Sequence, residues 1–175
     1  ISKSPAIFDP LKLRAINAAY IRALPAEEFR RLADPFIDSA VHCDIDRDLL
    51  CANLQPRCEV LEDIPPQLDF FDAVLPIDAE MYRNKKQKTT PESAKEALTA
   101  LLPVLEAQTD WTRDAIFEAC KALAEQLEKK NGWLLFPLGI ALSGKARTPG
   151  GGTDLAAMMG KPETIKRVKE ALEKL

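Results

Sequence analysis

The stretch that comes nearest to a chemical motif is Gly139 to Ala146, G-I-A-L-S-G-K-A. It approaches the phosphate-binding pattern of a glycine, four residues, then glycine, lysine and a hydroxyl residue. That hydroxyl would hold magnesium, and Ala146 stands in its place. The pattern also needs a strand before it, whereas Leu134 to Leu138 reads as helix and contains Pro137. A helix closed by Gly144 accounts for the same residues without a nucleotide. Gly150-Gly151-Gly152-Thr153 precedes a helical segment. Such a turn either presents backbone N–H groups to an anion, such as an RNA phosphate, or serves as a connector.

Other chemistry finds little support. Cys43, Cys51, Cys58 and Cys120 include no pair at the two-to-four-residue spacing of zinc ligands. His42 is the one histidine. It neighbours Cys43, but reduced and mostly buried cysteines are the expectation. One histidine leaves no credible serine–histidine–acid set, and no carboxylate pair stands out as acid and base. No catalytic residue and no metal ligand is assigned.

The elements that must position any site are helices. Asp9 caps a segment with Pro10 at its first position, and Leu11, Leu13, Ile16, Ala19, Tyr20 and Ala23 follow at helical spacing. Pro25 opens a second helix with Glu27 and Glu28 in its first turn; Pro35 should kink or break it. A third runs from about Asp44 to Leu54, before Pro56. Between 57 and 82, Pro65, Pro66 and Pro76 predict short helical pieces rather than strands. Thr90-Pro91-Glu92 starts a helix whose buried stripe is Ala94, Ala97, Leu98, Leu101, Leu102 and Leu105. Asp110 or Thr112 starts another, expected to stop at Lys129-Lys130-Asn131-Gly132. A short apolar helix from Leu134 to Leu142, a turn, a short helix ended by Gly160, and an amphipathic helix from Glu163 complete the chain. The fold class is all-α, with two packed helical subdomains, 1–85 and 90–175, joined by a polar linker at Lys85–Thr90.

The 175 residues are 46% apolar and 29% charged, enough for a real core. Net charge is −3, and neither half is markedly basic. That argues mildly against a nucleic-acid binder, although only the field at the contact face matters. No apolar run reaches the roughly 20 residues of a membrane span. Ile1-Ser2-Lys3-Ser4-Pro5 lacks the apolar core of a signal peptide and an initiator Met. The expectation is a chain that begins inside a longer protein or after processing, in the cytoplasm.

Two blocks resemble a known family. Ser2-Lys3-Ser4-Pro5-Ala6-Ile7-Phe8-Asp9, Lys12-Leu13, Asn17 and Tyr20-Ile21-Arg22 are similar to the segment that follows the catalytic domain of bacterial-type glutamyl-tRNA synthetases. Ala15 stands where that family often has tryptophan. Near the other end, Pro137-Leu138, Ala141-Leu142-Ser143-Gly144-Lys145, Thr148-Pro149-Gly150 and Met159-Gly160-Lys161-Glu163 resemble the family's carboxy-terminal pattern, and Trp111 matches a family tryptophan. Ser2-Lys3-Ser4 also looks like part of the ATP-binding KMSKS loop. The missing lysine–methionine start and the following Pro5 reject that reading, and no HIGH-type motif exists.

The resemblance implies helical domains that read the anticodon of tRNA(Glu). The position that reads the third anticodon base matches Arg57. The alternative is an arginine tied to Glu59 or Glu62. An arginine here suggests an enzyme that discriminates against tRNA(Gln), where relatives charging both tend to carry glutamine. Thr148 and Pro149 match the loop that contacts the other bases: threonine donates and accepts, and proline stiffens the loop and offers a stacking face. Gly139 stands where many relatives have an arginine, so Lys145 or Arg147 would substitute. Tyr20, Trp111 and Trp133 are possible base stackers, with burial in the core the favoured alternative. The implied full-length protein is a glutamate–tRNA ligase, monomeric, with tRNA(Glu) as partner. This stretch would hold no cofactor; ATP and magnesium would bind the catalytic domain of the same chain. Rival readings are a helical protein-interaction or scaffold module that has lost tRNA reading, and a nucleotide-binding enzyme built on Gly139 to Lys145.

Overall fold

Helix starts follow the caps. Asp9 accepts hydrogen bonds from the Leu11 and Lys12 amides, and α1 runs Pro10–Ala23. Pro25 precedes α2, Ala26–Asp38, and Asp46 caps α3, Arg47–Leu54. Thr90 and Ser93 cap α4, Pro91–Ala107, reciprocally, and Thr112 caps α5, Arg113–Gln126. Then come α6, Asn131–Ser143, α7, Gly152–Met159, and α8, Lys161–Lys174. These elements come from a computed structural model that describes residues 9–175. The Ser2-to-Phe8 part of the amino-terminal resemblance lies outside the described residues. Among the described residues there is no sheet, only an isolated antiparallel bridge between Asn84 and Thr89. The proline-rich stretch forms the short 3-10 turns Gln55–Arg57, Leu61–Asp63, Pro65–Gln67 and Ala79–Tyr82, as the prolines require.

Several expectations change. α2 continues through Pro35 to Asp38 instead of breaking. The α5 stop comes earlier than Gly132. Glu128 takes a left-handed conformation (φ 55°), and the Lys129 amide reaches back to the Ala124 carbonyl. Gly132 therefore lies in the first turn of α6. The polar linker is an ordered turn. Asn84 and Thr89 exchange backbone hydrogen bonds, and the Asn84 side chain accepts from the Lys86 and Gln87 amides. Thr89 is buried, its hydroxyl donating to the Tyr82 carbonyl. The core runs past this turn without interruption, from Ile21, Leu50 and Phe70 to Leu98, Leu138 and Val168. Each fully buried leucine or phenylalanine in it contributes roughly 2 kcal/mol.

Tyr20, for which burial in the core is the favoured reading, lies instead on an exposed face of α1. Leu11, Leu13, Ile16 and Tyr20 are 77%, 46%, 67% and 64% exposed, while Ala18 and Ile21 are buried. The inward face is partly polar. Arg14 and Asn17 bond to residues 59 and 63, and those contacts fix the rotation of the helix.

Two glycines end helices at positive φ for different reasons. Gly144 (φ 70°) closes α6, and a Cβ there would lie 2.5 Å from the Leu75 carbonyl oxygen. Gly160 (φ 85°) closes α7 with nothing within 4 Å of an added Cβ. Gly160→Ala should cost about 1–3 kcal/mol of backbone strain, because φ 85° with ψ 163° is a conformation essentially only glycine adopts. Gly144→Ala adds a backbone clash to about 1–2 kcal/mol of left-handed strain, about 3 kcal/mol or more in all. Urea midpoints of the two variants measure this; a Gly144→Ala loss of no more than about 2 kcal/mol would show that the Leu75 contact is unimportant.

Candidate nucleic-acid interface

Arg57 ends the 3-10 turn that follows α3 directly. The turn is fastened to α1 by Gln55, whose side-chain amide donates to the carbonyls of Ile21 (3.0 Å) and Leu24 (2.8 Å). Arg57 is exposed, and among the described residues its guanidinium has no ion-pair or hydrogen-bond partner. Glu59, one of the carboxylates that could have held it, accepts instead from Arg14 Nε at 2.9 Å.

The other candidates converge on the junction of α6 and α7. Gly150 packs against α3 and α7. A Cβ added there would lie 2.6 Å from Asp154 Cβ and 3.2 Å from Asn53 Oδ1. Asn53 is four residues before Arg57, so the Thr148–Gly152 turn packs against the helix that leads to Arg57. Beside this turn is a depression of about 320 Å³. Gly139 and Gly150–Gly152 line it, together with Leu135, Phe136 and Thr148. α6 and α7 meet so closely that a Cβ on Gly152 would lie 2.7 Å from the Leu135 carbonyl oxygen. A Cβ on Gly139 meets only ordinary contacts, 3.9 Å from Gly152. The absent side chain at 139 thus opens the depression; glycine is not required there by packing.

Individual side chains depart from their expected roles. Lys145 Nζ is held by the Pro66 carbonyl (2.9 Å) and the Asp69 carboxylate (2.8 Å). A half-buried ammonium needs such partners, so Lys145 joins the 65–69 segment to the end of α6 instead of standing free for RNA. Arg147 is exposed and, among the described residues, unpaired. Thr148 is half-buried and its hydroxyl donates to the Gly150 carbonyl at 2.6 Å. Pro149 is buried and offers no stacking face here; its contribution is stiffness. The Gly151 amide donates to Asp154 Oδ2 at 2.8 Å, so a carboxylate already occupies the turn where an anion was considered. Gly139 to Ser143 is the end of α6, which excludes the phosphate-loop reading.

Among the aromatics, Trp133 is buried, and Trp111 is half-buried with its indole N–H on the Ala156 carbonyl. Phe136, half-buried on the depression, is the aromatic side chain that sequence reasoning missed. Its signal was spacing: Gly132, Phe136 and Gly139 fall at i, i+4 and i+7 on one face of α6. Cys51, Cys58 and Cys120 are buried, Cys58 directly after Arg57. Burial pushes the Cys51 and Cys58 thiols up to about 11 and Cys120 to about 12, which suppresses the reactive thiolate.

Known proteins resemble this arrangement. The family described as "Anticodon binding domain" matches residues 15–172. The glutamate–tRNA ligase of Clostridium botulinum (strain Hall) is 45% identical over 175 residues, covering 100% of this chain and 36% of that protein. The chain thus spans little more than a third of the curated relatives it matches. A crystal structure of a glutamate tRNA ligase from Elizabethkingia meningosepticum superposes with a TM-score of 0.82 at 25% identity, over 100% of this chain and 34% of that one. That of glutamate-tRNA synthetase from Elizabethkingia anophelis does so at 0.73 and 21% identity, over 95% and 32%, and speaks for the fold alone.

Proposed function

Since the chain belongs to the anticodon-binding domain family, we propose that it reads the anticodon of tRNA(Glu) for a full-length glutamate–tRNA ligase. The observation that carries this reading is that Arg57 and Arg147 are exposed guanidiniums with no partner among the described residues, Arg147 following Lys145 and Ala146 of the lining of a glycine-lined depression. Unstacked bases of an RNA loop offer acceptor-rich edges and flat faces. Arg57 supplies planar donors to the third base, and Phe136 with Leu135 supplies an apolar wall for a splayed base. Thr148 and Pro149 shape the loop; Lys145 braces it. The halves 1–85 and 90–175 each contribute one part of this surface.

The exposed apolar face of α1, formed by Leu13, Ile16 and Tyr20, suits contact with the catalytic domain of the same polypeptide. ATP, magnesium and glutamate belong to that domain. The ligase works as a cytoplasmic monomer.

The test is salt-dependent binding of tRNA(Glu) and of its anticodon stem–loop to the full-length ligase. Arg147→Gln should weaken both at every salt concentration and reduce the slope of log affinity against log salt by about one. An unchanged slope would remove Arg147 from the interface. A chain that binds the stem–loop no better than an unrelated hairpin would favour the scaffold reading instead.

A further inference from the structure

Arg57 lies in an acidic neighbourhood. Glu59, Glu62 and Asp63 follow it within six residues, and Arg57 is the nearest basic residue in the chain to any of them. An exposed arginine so placed has carboxylates within reach, although each such surface pair is worth only about 0–1 kcal/mol. Here another arginine, 45 residues from Glu59, intervenes. Arg14 donates from Nε to Glu59 Oε2 at 2.9 Å and from Nη2 to Asp63 Oδ2. The planar fork spans two carboxylates, one from Nε and one from Nη2. Hydrogen bonds to Glu59 and then Asp63 raise the Arg14 pKa further above its ordinary value.

We propose that Arg14 is a positioning residue for base reading: by engaging Glu59 and Asp63 it keeps the Arg57 guanidinium unpaired and available to the third anticodon base. This rests on the assignment of Arg57 to that base. The backbone of the strip is held independently of charge. Asn17 Nδ2 donates to the Glu59 carbonyl at 2.5 Å, and Gln55 bridges to α1. Loss of Arg14 therefore leaves the strip in place and changes which cation its carboxylates take. Without Arg14, Glu59 competes with RNA for Arg57.

The experiment uses the full-length ligase and two anticodon stem–loops that differ only at the third base, cytosine or guanine. The readout is the ratio of their affinities. A general change in electrostatic attraction moves both affinities together and leaves the ratio alone. Arg14→Gln should lower the ratio by about fivefold, the upper range for competition from one exposed ion pair. Arg14→Gln with Glu59→Gln and Asp63→Asn should restore it to within about twofold, because the two carboxylates that Arg14 releases are then neutral and Glu62 is as it was in the unaltered protein. A ratio unmoved by Arg14→Gln overturns the proposal. So does a ratio that falls but is not restored by the neutral pair, which would mean that the fork acts by holding the backbone. Arg57→Gln, run alongside, separates the two levels. If it abolishes the ratio while Arg14→Gln does not move it, positioning alone fails. If it leaves the ratio intact, the base assignment fails and the positioning role goes with it.

Discussion

Arg57→Gln should abolish the preference for cytosine over guanine at the third anticodon base, a loss of roughly 5- to 150-fold, the range of one good bidentate base contact. The direction follows from donor and acceptor counts. Cytosine presents the acceptors O2 and N3 on its pairing edge, and guanine presents N–H donors at the corresponding places. A guanidinium is donor-only, so it bonds to cytosine and leaves guanine's donors facing its own. Glutamine carries one acceptor and one amide donor pair and satisfies either base. The third base is also where glutamate and glutamine anticodons differ. The variant should therefore accept tRNA(Gln) stem–loops almost as well as those of tRNA(Glu). Competitive binding of the two stem–loops measures the ratio. The assignment is lost if the ratio survives in the variant.

Much of the scaffold behind that prediction was legible from local signals. Asp9 and Thr90 cap helices where their types and positions predict, Thr112 is the cap of the two offered, and α3 is capped by Asp46, two residues beyond the expected start at Asp44. The prolines of 57–82 confine that stretch to 3-10 turns, and Gly144 closes α6. These are interactions over three or four residues, and a sequence shows them directly. What stayed hidden was long-range pairing. Nothing local to Lys145 reveals that Asp69, 76 residues away, takes its ammonium. Nothing local to Arg57 reveals that Arg14, 45 residues from Glu59, takes that carboxylate. The apolar residues of α1 fall at helical spacing, and periodicity cannot tell a buried stripe from one left for a partner. The polar contacts of Arg14 and Asn17 decide the rotation, and they too are distant in sequence.

The largest expected loss of stability comes from another distant pairing. Arg167 lies on the inner face of α8 beside Val168 and Ala171 and is only 2% exposed. Its guanidinium donates to the carbonyls of Phe70 (2.7 Å), Phe71 (2.6 Å) and Leu142 (2.6 Å), while Nε donates to Glu163 at 2.7 Å. One side chain thus joins the irregular stretch after α3 to the ends of α6 and α8. Phe70 and Phe71, whose rings stack at 4.4 Å, are buried under that stretch, and their backbone has no strand or helix to satisfy its carbonyls. Arg167 supplies the donors. Arg167→Met preserves much of the apolar stem and leaves three carbonyls without their charged donor. Each hydrogen bond to a charged group is worth about 1.5–3 kcal/mol, and removing the buried arginine recovers part of its desolvation cost. The net loss should be about 3–5 kcal/mol, a large fraction of the roughly 5–15 kcal/mol that holds a domain of this kind together. Glu163→Gln should cost less than about 1 kcal/mol, because its carboxylate is half-exposed and the three carbonyl bonds persist. Urea unfolding of the two variants separates the contributions. Comparable losses would mean that the ion pair, and not the carbonyl contacts, fastens the 70–71 segment. Arg57 sits on the far side of that segment from α8 in sequence and is fastened to α1 by Gln55. Mild destabilisation through Arg167 should therefore leave the third-base ratio unchanged in the folded fraction, which distinguishes a residue that holds the fold from one that reads RNA.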